Sequence, residues 1–438
     1  MRNFVIPCLL GACVGLTAAC SAKSVDDDSG KASNGSSSAA GGTGAMSGSG
    51  GSTGGSSATA GTGGSKGGTG GTGGTGGSSG SAGMTAQQFI QGGPFAYPQN
   101  KKPPFCSLTT AANASATVQS IYNTWKSTYV VAAGSALRVQ RPENGNDTVS
   151  EGIGYGMLAA VYMGDRTTFD GLWAYAQQHF DMAGMMNWHI NTDGTTATQG
   201  SGSATDADED MAWALIMASG QWSSADYYAA GKKLAGAIMF NEVAGDGMLT
   251  PGDAWGSTNK TYPDYFSPAY YRVFKQVTGN ANWDIVISRN YDILSKVSGT
   301  DGLVPDSTTS SYDLSGAYKY DACRAPWRIG MDYCFNGPDV APGAKTYLDL
   351  VGTFFDGVGV ANIGDGYTLT GMRTSDFPNM AFIGPAGVAG MYDHQKLLDD
   401  AFNFGATGNG GTTGYFQQSL RVITMLVMSG NFIDYTQQ

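Results

Sequence analysis

Histidine is almost missing from this chain, with three residues in 438. His179, His189 and His394 are too scattered to build a zinc site, which needs three or four ligands brought together at short spacing. Cysteine is nearly as sparse. Three of the six fall within the first 20 residues, and the others, Cys106, Cys323 and Cys334, lack metal-type spacing. In an oxidising compartment one disulfide and one free thiol are expected, with the pairing left open. Basic residues are outnumbered, 24 Lys and Arg against 35 Asp and Glu, for a net charge of -11. That balance argues against a nucleic-acid partner, which would want a basic stripe. The longest apolar stretch, "FVIPCLLGACVGLTAA", is too short and too rich in small residues to span a bilayer. A serine nucleophile finds no support either. The formal G-x-S-x-G match "GGSSG" at residues 76–80 lies in low-complexity sequence, with no strand before it and no helix after it.

What is present divides the chain into three. Residues 1–19, with Arg2 ahead of an apolar run, read as a secretory signal. "LTAAC" ending at Cys20 has the form of a lipoprotein signal, so Cys20 is the expected lipidation site. Cys13 in "LGAC" is the local alternative but leaves a very short apolar segment, and plain cleavage after Ala19 is the other. The expected membrane link is this lipid anchor alone, on a protein exported to the outer membrane or cell surface, or otherwise secreted. Residues 20–86 are Gly, Ser, Thr and Ala with little to bury, a flexible tether with a mean reach of roughly 45 Å. Residues 87–438 show no composition break and read as one large unit, expected to be monomeric.

Within that unit the apolar spacing is helical. In "TTFDGLWAYAQQHF", Phe169, Leu172, Trp173, Ala176 and Phe180 share one face. In "DEDMAWALIMASGQW", Met211, Leu215, Ala218 and Trp222 do the same. Several stripes end in glycine stops, "VTGN", "VSGT" and "MSGN", and Ser267-Pro268 reads as a helix cap and first turn. Period-two strands are scarce. The expected class is all-α, a toroid of helix hairpins joined by long loops that carry aromatics and acids.

Three acidic stretches stand out. Glu151 in "SEGIGYGM" sits among glycines ahead of an apolar run, where Ser150 or a neighbour is expected to cap the helix. A dipole-complementing role would explain one acid there, yet the glycines also allow close approach and Tyr155 adds a hydrogen-bonding ring. "TDADED" places four acids in five positions. Asp206, Asp208 and Asp210 alternate as in a calcium loop, but the turn glycine and distal glutamate are absent. In a helix, Asp206 and Asp210 would share a face and repel. Asp321 in "YKYDACRAPWR" is followed by Arg324, either a surface ion pair or a carboxylate held in a cleft wall. Separated carboxylates among Trp and Tyr, with no metal called for and no thiol nucleophile, fit hydrolysis of a glycosidic bond. Trp188, Trp255, Tyr265, Tyr320 and Tyr415 are candidate sugar platforms. Only the Trp255 loop, flanked by Gly and Pro, argues by itself against burial in a helix.

These motifs, in order with "MNWHI", "LTPGDAWG", "YFSPAYYRVF", "GLVPDS", "DGYTLTG", "FIGP" and "SLRVITMLVMSGNF", resemble glycoside hydrolase family 8, and the bacterial endoglucanase type in particular. The resemblance covers about residues 95–435. It implies an (α/α)6 barrel with an open cleft, no cofactor, and inverting endo cleavage of a β-1,4-linked polysaccharide. By motif, Glu151 would be the general acid, Asp321 the general base, and Asp206 the residue holding the sugar at the cleavage point. Trp188, Trp255, Tyr265, Tyr320, Arg324 and Tyr415 would line the substrate. The neighbouring charges of Asp206 and Asp321 would keep Glu151 protonated, against the helix dipole. One departure is visible: Phe416 stands where the endoglucanase type carries a second tyrosine. Glucan is the expected substrate, with xylan and chitosan as alternatives inside the family. A polysaccharide-binding protein without catalysis and a lyase are the rivals outside it.

Overall fold

Helices buried on almost every side alternate along the chain with helices that show water one face, and this alternation sets the architecture. A computed structural model describes residues 83, 85–89, 93–256, 259–408 and 414–437. The proposed signal, Cys20 and nearly all of the tether lie outside the described residues.

Thirteen α-helices occur among the described residues: α1 (Ala86–Phe89), α2 (Ala114–Tyr129), α3 (Ser150–Tyr162), α4 (Arg166–Gln178), α5 (Thr205–Gln221), α6 (Ala225–Asn241), α7 (Pro268–Thr278), α8 (Asn282–Val297), α9 (Ala325–Val340), α10 (Pro342–Val358), α11 (Met380–Gly390), α12 (Gln395–Ala406) and α13 (Tyr415–Met428). Helices α3, α5, α7, α9, α11 and α13 touch in cyclic order, and α13 closes the ring onto α3. Outside it, α4 packs on α3, α6 on α5, α8 on α7, α10 on α9, α12 on α11, and α2 on α13. Six hairpins around a ring make the expected (α/α)6 barrel.

Sequence explains the two layers. Outer α8 buries Trp283, Val286, Ile287, Asn290, Ile293, Leu294 and Val297, a stripe at helical spacing. Outer α4 likewise buries Phe169, Leu172 and Ala176, while Phe180, beyond its last residue, folds back to pack on Trp173. Inner α5 differs from expectation. Met211, Leu215 and Ala218 are buried, but so is every other residue of the helix, so no single face faces the core.

Helix ends also depart in part from expectation. Gly279 ends α7 in the left-handed region at φ 72°, as its glycine stop implies. Ser267 precedes Pro268 at the start of α7, yet its hydroxyl donates to the Tyr265 carbonyl instead of capping the helix. Ser150 does not cap α3 either, because the helix starts at Ser150 itself. Its backbone N–H donates to the carbonyl of Trp188 at 2.9 Å. That contact continues a two-residue ribbon pairing Thr148–Val149 with His189–Ile190, one of four short antiparallel ribbons among the described residues. A disulfide joins Cys106 to Cys334 on α9, which leaves Cys323, buried, as the free thiol among the described residues.

Candidate active site

Glu151 lies in the first turn of α3 with its side chain 20% exposed, the one residue of that helix that is not buried. Its neighbours explain the glycines around it. A Cβ on Gly152 would come within 3.0 Å of the Tyr415 hydroxyl, and that hydroxyl donates to Glu151 Oε1 at 2.9 Å. A Cβ on Gly154 would meet the Asp210 Cβ at 3.0 Å, so this glycine brings α3 and α5 close together.

Arg324, 2% exposed, lies at the centre of the acids. Its Nη1 donates to Glu151 Oε2 and to Asp206 Oδ2, both at 2.7 Å, and to the Tyr155 hydroxyl at 3.1 Å. Its Nη2 lies 2.5 Å from Asp264 Oδ2 and 3.5 Å from Asp321 Oδ1. Asp321 itself is 29% exposed, so it is open to solvent on one side. Asp306 fixes its loop by accepting the backbone N–H groups of Lys319 and Ala322, which bracket Tyr320 and Asp321.

The other acids of "TDADED" leave the cleft. Asp210 receives both Nη groups of Arg328, at 2.7 and 2.9 Å. The repulsion expected between Asp206 and Asp210 is therefore relieved, because arginines four residues apart on the facing segment meet acids four residues apart on α5. Glu209 accepts from the Tyr271 hydroxyl at 2.6 Å. Asp208 is fully buried and faces Glu242.

Aromatic residues flank the acids. Trp188 and Trp255 are partly buried, with ring centroids 6.1 Å apart. The Trp188 indole donates to the Gln199 carbonyl at 2.8 Å, and the Trp255 indole to the Ser203 carbonyl. Tyr320 is 37% exposed, and its hydroxyl donates to Asp365 at 2.6 Å. Tyr265 and Tyr415 are buried; Tyr265 stacks on Tyr262 at 5.0 Å. Little ring surface is left on either, so what they can offer a ligand is an edge or a hydroxyl.

Burial raises the Glu151 carboxyl, and the Asp206 charge adds to it, against Arg324, the Tyr415 hydrogen bond and Arg141. Asp321 is raised to about 7 by burial, with Asp306, Glu151 and Asp206 adding and Arg324 opposing. Burial, with like charges gathered around one guanidinium adding to it, thus favours protonated acids at this site. Among the described residues, no group of three or more His, Cys, Asp or Glu side chains is placed to hold a metal ion.

A match to the family described as glycosyl hydrolases family 8 spans residues 96–430. This chain belongs to that family. It is 39% identical to Endoglucanase A of Acetivibrio thermocellus, over 76% of this chain and 74% of that protein. It is 36% identical to Endoglucanase 2 of Ruminiclostridium josui, over 77% and 76%. Among solved structures, a β-1,3-1,4-glucanase from Paenibacillus sp. X4 superposes with a TM-score of 0.72 at 32% identity, covering 77% of this chain and 98% of that one. A reducing-end-xylose-releasing exo-oligoxylanase shares the fold, with a TM-score of 0.64 at 19% identity over 74% of this chain and 95% of that one.

In this family 8 glycoside hydrolase, the residues expected at the site from sequence do converge: Glu151, Asp206, Asp321, Arg324 and Tyr415 form one contact network, with Trp188, Trp255 and Tyr320 on its flanks. Sequence reasoning passed over Asp264 and Asp306. The available signal was an acid beside proline in each of two loops, "YPDYF" and "LVPDS", too common a pattern to single out.

Proposed function

We propose that the enzyme is an inverting endo-β-1,4-glucanase. Glu151 protonates the leaving glycosidic oxygen, while Asp321 takes a proton from the water that attacks the anomeric carbon on the opposite face. The C–O bond to the leaving sugar breaks as the water oxygen bonds to carbon, so configuration inverts. Each turnover leaves Glu151 ionised and Asp321 protonated, and exchange with solvent resets both. Asp206, held by Arg324 beside Glu151, accepts a hydroxyl of the sugar at the cleavage point.

One observation carries the reading. A single guanidinium spans Glu151 and Asp321, touching the first through Nη1 and lying 3.5 Å from the second through Nη2. Acids held by different nitrogens of one guanidinium can stand at the spacing of about 6.5–9.5 Å that inverting enzymes use, with a water between them. Trp188, Trp255 and Tyr320 supply partly open rings on which sugars can lie. Glucan is favoured over xylan because the relatives at 36–39% identity are named endoglucanases.

Sugar release by residues 87–438 from carboxymethylcellulose, barley β-glucan, xylan and chitosan tests the substrate, with the product anomer followed by NMR. Rapid release from the first two, with the α-anomer appearing first, is expected. Activity confined to xylan or chitosan would overturn the glucan assignment, and an initial β-anomer would overturn inversion.

A further inference from the structure

Asp264 has no role in the reaction just described, yet it makes a 2.5 Å contact with Arg324, the shortest that guanidinium makes to an acid. It lies in the 3-10 turn Pro263–Tyr265 and is fully buried. Neither of its oxygens makes a hydrogen bond elsewhere. A sugar in the cleft cannot reach it. A buried carboxyl with one partner is costly unless that partner is charged, and here the partner is the arginine that contacts Glu151 and Asp206 on its other side. Resting on the proposed roles of Glu151 and Asp321, we propose that Asp264 is a positioning residue that holds Arg324 from behind the cleft and limits how much of its positive charge acts on Glu151.

The consequence is directional. Glu151 faces Arg324, Arg141, Asp206, Asp321, Tyr155 and Tyr415. Asp264 faces Arg324, Arg328, Asp321 and Asp206, with Tyr262, Tyr265 and Cys323 nearby. Burial pushes the Asp264 carboxyl up and the guanidinium opposes it. Ionised against Arg324 at 2.5 Å, Asp264 carries a charge that offsets that of the guanidinium. Glu151 then keeps its proton further into the alkaline range than it would beside an uncompensated arginine.

Asp264→Asn keeps the shape and removes the charge, so Arg324 acts more fully on Glu151. The alkaline limb of kcat/KM on barley β-glucan is expected to move to lower pH by about one unit. A limb unmoved within about 0.2 unit, whatever the loss of rate, would overturn the proposal, since a purely structural role scales the profile without displacing it. Where Asp264→Asn fails to fold by circular dichroism, Asp264→Ser, smaller and neutral, reads the same limb. Glu151→Gln is the control. Wild-type rates from it would mean the acid is misassigned, a failure distinct from an unmoved limb in the Asp264 variant.

Discussion

Arg324 and Arg328 lie one helical turn apart, and both are buried against acids of α5, yet their surroundings differ in kind. Arg328 has Asp210 as a bidentate partner and the Ser267 hydroxyl beside it, a near-neutral pair of good geometry. Arg324 is shared among Glu151, Asp206, Asp264 and Asp321, so the charges around it do not balance. A balanced buried pair fixes structure. An unbalanced cluster holds protons near neutrality, the state that proton transfer requires.

The widest separation between the two comes from removing chemistry without removing shape. Glu151→Gln and Asp321→Asn should each lower kcat by roughly 10²–10⁴-fold, the usual contribution of a positioned acid or base. The melting temperature should hold or rise, because each amide keeps the shape of the acid it replaces and brings no charge into a crowded set. A melting temperature that fell sharply would place these acids with Arg328 and Asp210 as structural groups.

The Arg328 pair should behave in the opposite way. Asp210→Leu leaves a buried cation alone and should cost about 3–5 kcal/mol of stability, while the molecules that fold keep near-normal kcat. Adding Arg328→Met to it should recover most of the loss, since an apolar pair of similar volume replaces an ionic one. Urea unfolding of the single and double variants checks both. A double variant no more stable than the single would show that Asp210 acts through something other than Arg328.

How much of this was legible in the sequence depended on distance along the chain. Outer helices declare themselves, since one wet face leaves a periodic stripe such as Trp283, Val286, Ile287 and Asn290 in α8. In α5 the stripe was misleading, because burial on all sides removes the contrast on which periodicity depends. Glu151, Asp206 and Asp321 were legible as acids in unusual company. The resemblance set them with Arg324 along one substrate, but their direct contacts to that guanidinium were not legible, because those to Glu151 and Asp206 cross 173 and 118 residues. The Cys106–Cys334 pairing, 228 residues apart, was illegible for the same reason. Asp264 was the hardest to see, since its role comes entirely from the residue behind which it folds.

Asp208 extends the comparison to an acid facing no arginine. It lies between Asp206 and Asp210 in sequence but points away from both arginines toward Glu242, and both are fully buried. The Ser203 hydroxyl donates to Glu242 Oε1 at 2.6 Å. Burial raises Asp208, with Glu242 adding, and burial raises Glu242 to about 8, with Asp253 adding. The folded state therefore binds protons that the unfolded chain has released. Stability from Glu242 is fully present below its unfolded value near 4.5 and is lost as pH rises toward 8. Glu242→Gln carries no proton to lose, so the decline in unfolding free energy between about pH 5 and pH 8 should flatten by on the order of 1–3 kcal/mol. Activity at the optimum should change little, because the pair lies behind the Trp255 loop and not among the acids at Arg324. Chemical unfolding across that range measures it. An unchanged slope would mean that this pair is no proton store, and that lacking an arginine does not by itself separate Asp208 from its two neighbours.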